Sequence, residues 1–433
     1  MITCNEYIFD NIDEALNYVL ETEQRALTQD AHRQEPAMIM RPFPGMFSQP
    51  FTDEMVQRAF VPVDSLDYPL SAWFNNADAD KFVMTRLQSG RYSLKPNLRH
   101  RKFLFRGESE FHKPCKPNIS RNPKQRRFTA ELIRGQEMKL VMMSHPLVQL
   151  LDIGVELCGT LCRFEMNLFG LTQHYYNKTS FLDLTSDPHV AAFFATTKYD
   201  WESDTYLPIE DENQNPGVLY YYSLSIDEDF VFQSDGSESP LSTIGLQVFP
   251  RSGRQKGFLY YLRPNENFNE IARVNAVRFR HDSAIANRIY EEFNGGKELF
   301  PDDILMQHWN RENKDKNIIS SKTVLMNALD NPMMTLEEVE SEVRGLGFEI
   351  QDYVPRFTQD ELDQYYAAIK RDSLWEEFCN QIHIPGDKDA KMMSALLSLP
   401  NDPRYRWAFE KDDNHVTDYG KGYVMGKYRE CLK

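Results

Sequence analysis

A chain of 433 residues with a net charge of −16, 41% hydrophobic and 26% charged, is long enough for two or three domains and too apolar for bulk disorder. No stretch approaches the roughly 18–20 unbroken apolar residues of a membrane helix, and the acidic balance argues against generic nucleic-acid binding. Met1 to Asp10 hold neither a basic nor a long apolar leader, so a cytoplasmic protein is expected.

The chain opens on a predicted helix capped by Asp10, with Ile12, Ala15, Leu16, Val19 and Leu20 on one face. A proline-rich stretch (Pro36, Pro42, Pro44, Pro50) and a helix or two up to about Leu87 follow, so residues 1–100 read as a mainly helical lead-in. The texture changes at Lys102. Lys102–Gly107 reads as a short buried strand ending in a turn glycine, and helical texture runs from about Thr129 to Phe169 with a break near Pro146. Within it, Cys158 and Cys162 share a helix face and read as small buried hydrophobes; the six scattered cysteines make no disulfide framework or metal site. No metal is expected.

Ser180–Thr185 is predicted as a strand that leads into a helix capped by Ser186 or Asp187, with Pro188 in its first turn. Residues 217–224, 257–262 and 274–279 have strand composition or alternation. The order predicts an α+β domain over 101–285, a mixed or antiparallel sheet with inserted helices. Residues 286–433 read as an all-helical C-terminal region, opened at two points by capping boxes, Thr335/Glu338 and Thr358/Glu361, with Leu336, Val339 and Val343 turned inward in the first of these helices and Gly345 stopping it.

Charge is unevenly spread. From Arg86 to Arg134 there are fourteen Lys/Arg against three acids, and from Asp200 to Pro240 eleven acids and no Lys or Arg. Two solvated faces of opposite sign account for this as well as an anion site around Arg106 does. Arg106 itself, at a strand end, offers the planar donor fork that suits a phosphate, or it makes a structural pair with a carboxylate such as Asp183. His174 is a general base, a stacking ring, or a satisfied structural histidine. Asp183 interrupts an apolar strand and therefore needs a partner, and Thr185 shares its face. Arg251–Phe258 forms a basic, glycine-containing turn that enters a strand, a weak phosphate cradle.

Five segments resemble the FRG domain family in order: Phe105-Arg106-Gly107, Gln173-His174-Tyr175, Thr179–Thr185, Ala191–Ala195 and Gln255-Lys256-Gly257-Phe258. The chain departs from the family pattern at Tyr176, Lys178, Ser180 and Leu184, which stand where the family has Gly, Pro, Arg and Trp. The resemblance spans roughly residues 100–285 and implies a distant version of the ADP-ribosyltransferase fold. On that implication Arg106 and Gly107 on a first strand, with Thr185, Arg251 and Arg254, would bind NAD as substrate, and His174, Asp183 and Gln255 would carry the chemistry. Gln255 cannot act as a base, so His174, Asp183 or a nearby Glu would have to activate the acceptor. The functions implied are an NAD-dependent ADP-ribosyltransferase, a toxin or anti-phage effector acting on a protein or nucleic acid, or a non-catalytic nucleotide- or nucleic-acid-binding sensor or scaffold. Nuclease or hydrolase chemistry ranks last, with no nucleophile–base pair or metal cluster in view.

Overall fold

The computed structural model describes residues 7–30, 38–40, 52–62, 77–87, 89–121, 125–210, 215–225, 240–310, 316–386 and 389–433. A seven-stranded mixed sheet forms its centre. Its strands in chain order are β1 (Ile8–Phe9), β2 (Phe103–Glu108), β3 (Phe181–Thr185), β4 (Gly217–Ser223), β5 (Leu241–Thr243), β6 (Gly257–Tyr261) and β7 (Val274–Phe279), and in space they run β1-β7-β4-β2-β3-β6-β5. Only the β1–β7 pairing is parallel. Strand 217–223 is buried along nearly its whole length, which is why it reads as a continuous apolar and aromatic run, whereas 274–279 leaves Asn275 and Arg278 partly exposed and reads by alternation.

Each face of the sheet has its own core. Leu104, Leu182, Leu184, Tyr220, Tyr222, Phe258 and Phe268 fill one side. On the other, Phe103, Phe105, Leu219, Tyr221, Val277 and Phe279 meet helices α1 (Ile12–Asp30), α2 (Pro188–Thr196) and α3 (Ser283–Glu292). α1 buries Ile12, Ala15, Leu16 and Val19 as its spacing predicts, but its cap is Asn11, whose Oδ1 accepts from Glu14 N at 3.0 Å. A carboxamide one residue closer to the first turn reaches the free N–H groups better than Asp10, which instead pairs with Arg280. α2 starts as expected, with Asp187 capping and Pro188 in its first turn.

Three expectations about local structure are corrected. Residues 82–96 form an antiparallel hairpin, Phe82–Arg86 with Tyr92–Pro96, where a helix is expected up to about Leu87. Val83 and Met84 are fully buried, so both faces of that strand are apolar, and a doubly buried strand leaves no alternation to separate it from a helix. Between Ile153 and Phe169 the helical texture gives way to the hairpin Val155–Leu157/Thr160–Cys162. Cys158 therefore sits exposed in its turn at φ 51°, and Cys162 alone is buried. In the helix Leu336–Gly345, Leu336 is exposed while Val339 and Val343 are buried, and Gly347, at φ 98°, takes the left-handed position expected of Gly345.

The C-terminal stretch is mainly helical, with short strands at Ile318–Ser320, Glu349–Gln351 and Ile382–His383. The last of these adds to the 82–96 hairpin through Phe82. One core joins that hairpin, residues 138–171, the 244–259 segment and the C-terminal helices, including Tyr365, Trp375 and Met425.

Candidate functional site

The site is built where β2 and β3 separate. The two strands share a single register pair, Phe105 with Thr185. One residue on, the Arg106 side chain takes over: its Nη1 donates to the carbonyl of Asp183 at 2.9 Å, so a guanidinium serves a carbonyl that no longer has a strand partner. The same side chain donates through Nε (3.0 Å) and Nη2 (2.7 Å) to Glu108 Oε1. The carboxylate partner of Arg106 is thus Glu108, two residues on along the same strand face, and not Asp183. Arg121 also reaches Glu108, at 3.5 Å. Burial disfavours the Arg106 charge, but Glu108, then Cys115 and Asp183, outweigh it and hold the guanidinium above its ordinary pKa. Burial pushes the neighbouring Cys115 thiol up to about 12, and Glu108 adds to it.

Asp183 keeps one oxygen bonded and one free. Oδ2 accepts from Gln173 Nε2 at 2.5 Å, and Gln173 is itself oriented by the hydroxyl of Thr179. Oδ1 is buried and has no hydrogen bond. His174 lies alongside. Burial, reinforced by Arg251 and opposed by Asp183 and the Gly170 backbone, lowers its pKa, so the imidazole is neutral, and its Nδ1 is buried with no hydrogen bond of ordinary geometry. Arg251, 5% exposed, donates to the carbonyl of His174 at 2.9 Å and lies over the rings of Tyr175 (4.7 Å) and Phe300 (5.7 Å). Its Nε is likewise without a partner. Tyr206, stacked on Phe300 at 5.0 Å, completes the group. Burial pushes its hydroxyl up to about 12; Asp183 adds to the rise, while Arg106 and Arg251 oppose it, so all three act on this one phenol.

The other residues picked out in the sequence have structural roles. Gly107 faces α2. A Cβ there would collide with the carbonyl of Ala191 and stand 2.7 Å from the Ala195 nitrogen, so the glycine admits a helix and has no open side for a ligand. The Thr185 hydroxyl donates to the Gln255 carbonyl at 2.7 Å and accepts from Asp187 N at 2.9 Å, tying the end of β3 to the turn before β6 and to the start of α2. The Gln255 side chain is 7% exposed and donates to the Leu299 carbonyl at 3.1 Å. Arg254 is exposed and turned elsewhere: it borders a cavity of about 590 Å³ that none of Arg106, His174, Asp183, Arg251 or Gln255 lines.

A half-buried Arg between the buried Glu108 and the half-buried Asp183, at a strand junction beside Gln173-His174 and ahead of a helix that requires glycine at 107, is the arrangement to which the motifs point. The FRG domain family model matches residues 101–204. This chain carries an FRG domain. The matched residues include Arg106, Glu108, His174, Asp183 and Thr185, while β4 to β7, which complete the sheet, and Arg251 follow its end. No curated protein and no solved structure matches the chain. Among the described residues, no group of three or more His, Cys, Asp or Glu could hold a metal ion, and no helix is long and apolar enough to cross a membrane.

Sequence reasoning missed Glu108, Tyr206 and Phe300. Glu108 was within reach, because two residues from Arg106 on a strand means the same face. Tyr206 and Phe300 carry no local mark; only the packing of a distant hairpin and loop against α2 brings them to the site.

Proposed function

We propose that the FRG domain binds NAD beside the β2–β3 junction and transfers its ADP-ribosyl group to a protein or nucleic-acid acceptor. The reading rests on one observation: the buried, unpartnered Asp183 Oδ1, His174 Nδ1 and Arg251 Nε cluster beside a second, half-buried arginine, Arg106. Orphaned buried polar atoms are costly, and three in one cluster are accounted for by a polar ligand that completes their bonds. The order β2-β3-β6, which sets Arg106, Asp183 and the turn of Arg251 on neighbouring strands, agrees with the same reading.

In this scheme Arg251 takes a phosphate oxygen through its free Nε, and Tyr206 and Phe300 offer ring surface to the ligand. The bond between the ribose C1′ and the nicotinamide nitrogen breaks, and its electron pair leaves with neutral nicotinamide. Asp183 Oδ1 stabilises the positive charge that develops at C1′. The acceptor's lone pair forms the new bond to C1′, and its proton passes to neutral His174. Arg106, neutralised by Glu108, acts by holding the Asp183 carbonyl in position. Gln255, Thr185 and Gly107 shape the site without touching the reacting atoms.

The bond from Gln255 to the Leu299 carbonyl favours a second reading. With that amide committed, the domain would bind a nucleotide without turning it over.

The two readings separate in one experiment. The purified full chain is incubated with adenylate-labelled NAD and a cell lysate, beside Asp183→Asn and Arg251→Ala variants, and calorimetry follows NAD binding. Transfer or nicotinamide release that falls about 100-fold or more in Asp183→Asn, with binding retained, supports the transferase. Binding without turnover in every form leaves the non-catalytic module. Absence of both binding and turnover overturns both readings.

A further inference from the structure

We infer that the cavity between the 246–254 segment and the C-terminal helices is a second ligand site, built for a small organic cation carrying an amine. It is independent of the Asp183 cluster and does not rest on the NAD reading. At about 590 Å³ it lies within the roughly 300–1,000 Å³ range of small-molecule sites.

The observation that points to a ligand is Gln247. It lines the cavity, is 5% exposed, and its Nε2 donates to the Ile244 carbonyl at 3.0 Å. That bond fixes which way the amide faces, because a flipped amide would set two oxygens against each other. Its Oε1 is buried and accepts nothing. A buried acceptor with no donor calls for one; Oε1 has no open surface as the side chain stands, so a ligand N–H supplies it once Gln247 shifts toward the cavity.

Charge and shape narrow the class. Five carboxylates (Asp302, Asp303, Glu361, Asp372, Glu377) line the cavity against two guanidiniums, Arg254 and Arg371, and Arg371 is spent on Asp372 at 2.6 Å. Asp303 is occupied by the Tyr175 hydroxyl and Glu361 by His308 and Thr358, which leaves Asp302 and Glu377 as the open acids. His145 adds no positive charge: its Nδ1 accepts from Leu147 N, and burial lowers its pKa to about 3. The aromatic walls offer ring surface only, because Tyr365 donates its hydroxyl to the Ala408 carbonyl and Trp375 its N–H to the Leu396 carbonyl. Acceptors, carboxylates and ring surface around one cavity complement a cation with N–H donors and an apolar or aromatic body.

The test is calorimetric titration of the full chain with tyramine, agmatine and spermidine, and with tyrosol, the neutral hydroxyl counterpart of tyramine. At least one amine is expected to bind, tyrosol about tenfold more weakly than tyramine if tyramine is that amine, and Gln247→Leu and Glu377→Gln each to weaken binding about fivefold. Glu377 is exposed, so its variant keeps the test open if Gln247→Leu does not fold. Asp183→Asn is expected to leave amine binding unchanged, which separates this site from the one under Proposed function. Absence of binding by all three amines, equal binding of tyramine and tyrosol, or binding unmoved by Glu377→Gln would overturn the inference.

Discussion

Side chains in this protein are decided by what the backbone leaves unpaired. Where β2 and β3 part, Arg106 takes over the hydrogen bond to the Asp183 carbonyl, and Glu108 takes the rest of the guanidinium. The FRG motif is thereby divided into two jobs on two faces. Arg106 works at the junction, and Gly107, on the opposite face, exists for the helix that lies on it. Gly107→Ala is expected to cost about 2–3 kcal/mol, because the added methyl meets the backbone of α2, which can yield only by shifting a whole helix. Urea denaturation of the variant measures this. A loss under 0.5 kcal/mol, on the order of an ordinary surface change, would show that the helix does not sit where described.

At the scale of elements, capping chemistry accounts for several boundaries. The helix Gln359–Arg371 begins at a complete capping box, in which Thr358 Oγ1 accepts from Glu361 N and Glu361 reaches back to Thr358 N at 2.7 Å. Glu361 also holds His308 at 3.0 Å, so this helix start is joined to the segment after Asp303. Thr358→Ala should lower stability by about 1 kcal/mol, measured by thermal or urea unfolding, with no change in NAD binding. Tyr365 and Ile369, four residues apart on one side of the same helix, are its buried residues. Leu336 is not buried, although the helix Leu336–Gly345 is capped just as well. Capping residues state where a helix starts, whereas the position of the neighbouring element decides which side is inward. That information is absent from a short apolar spacing.

Across the whole molecule, the FRG segment does not close its own sheet or its own core. The core around His145 packs Phe249 from one distant stretch, and Phe357 and Tyr365 from another, edge-on around one imidazole. His145 is neutral there, with a pKa lowered to about 3 by burial against an ordinary value of 6.5. The unfolded chain therefore binds a proton that the folded one refuses between about pH 6.5 and pH 3. The stability this group contributes is fully present above pH 6.5 and is lost as pH falls toward 3, at up to about 1.4 kcal/mol per pH unit. Denaturation measured from pH 7 to 4 should show that slope reduced by about one proton in His145→Asn, which keeps an acceptor for the Leu147 nitrogen. An unchanged slope would mean that other groups govern the acid response.

Features that depend on near neighbours in the chain can be read from the residues alone. Strand β3, the cap and proline of α2, the strand from Gly257, both capping boxes and the FRG motifs were all legible, because turn residues, caps and apolar runs act within a few positions. The sequence also singled out Arg106, His174, Asp183 and Arg251, polar residues set among apolar ones. The folded packing chose what these residues touch. It gave Arg106 to Glu108, tied Thr185 and Gln255 into backbone bonds, turned Arg254 toward a separate cavity, and brought Tyr206 and Phe300 to the site. It likewise made hairpins of 82–96 and 155–162, whose apolar residues carry no period that favours strand over helix. The physical reason is common to all of these. A side chain's bonding capacity is local, but its partner is chosen by whichever distant element the packing of the sheet and helices brings within about 3 Å.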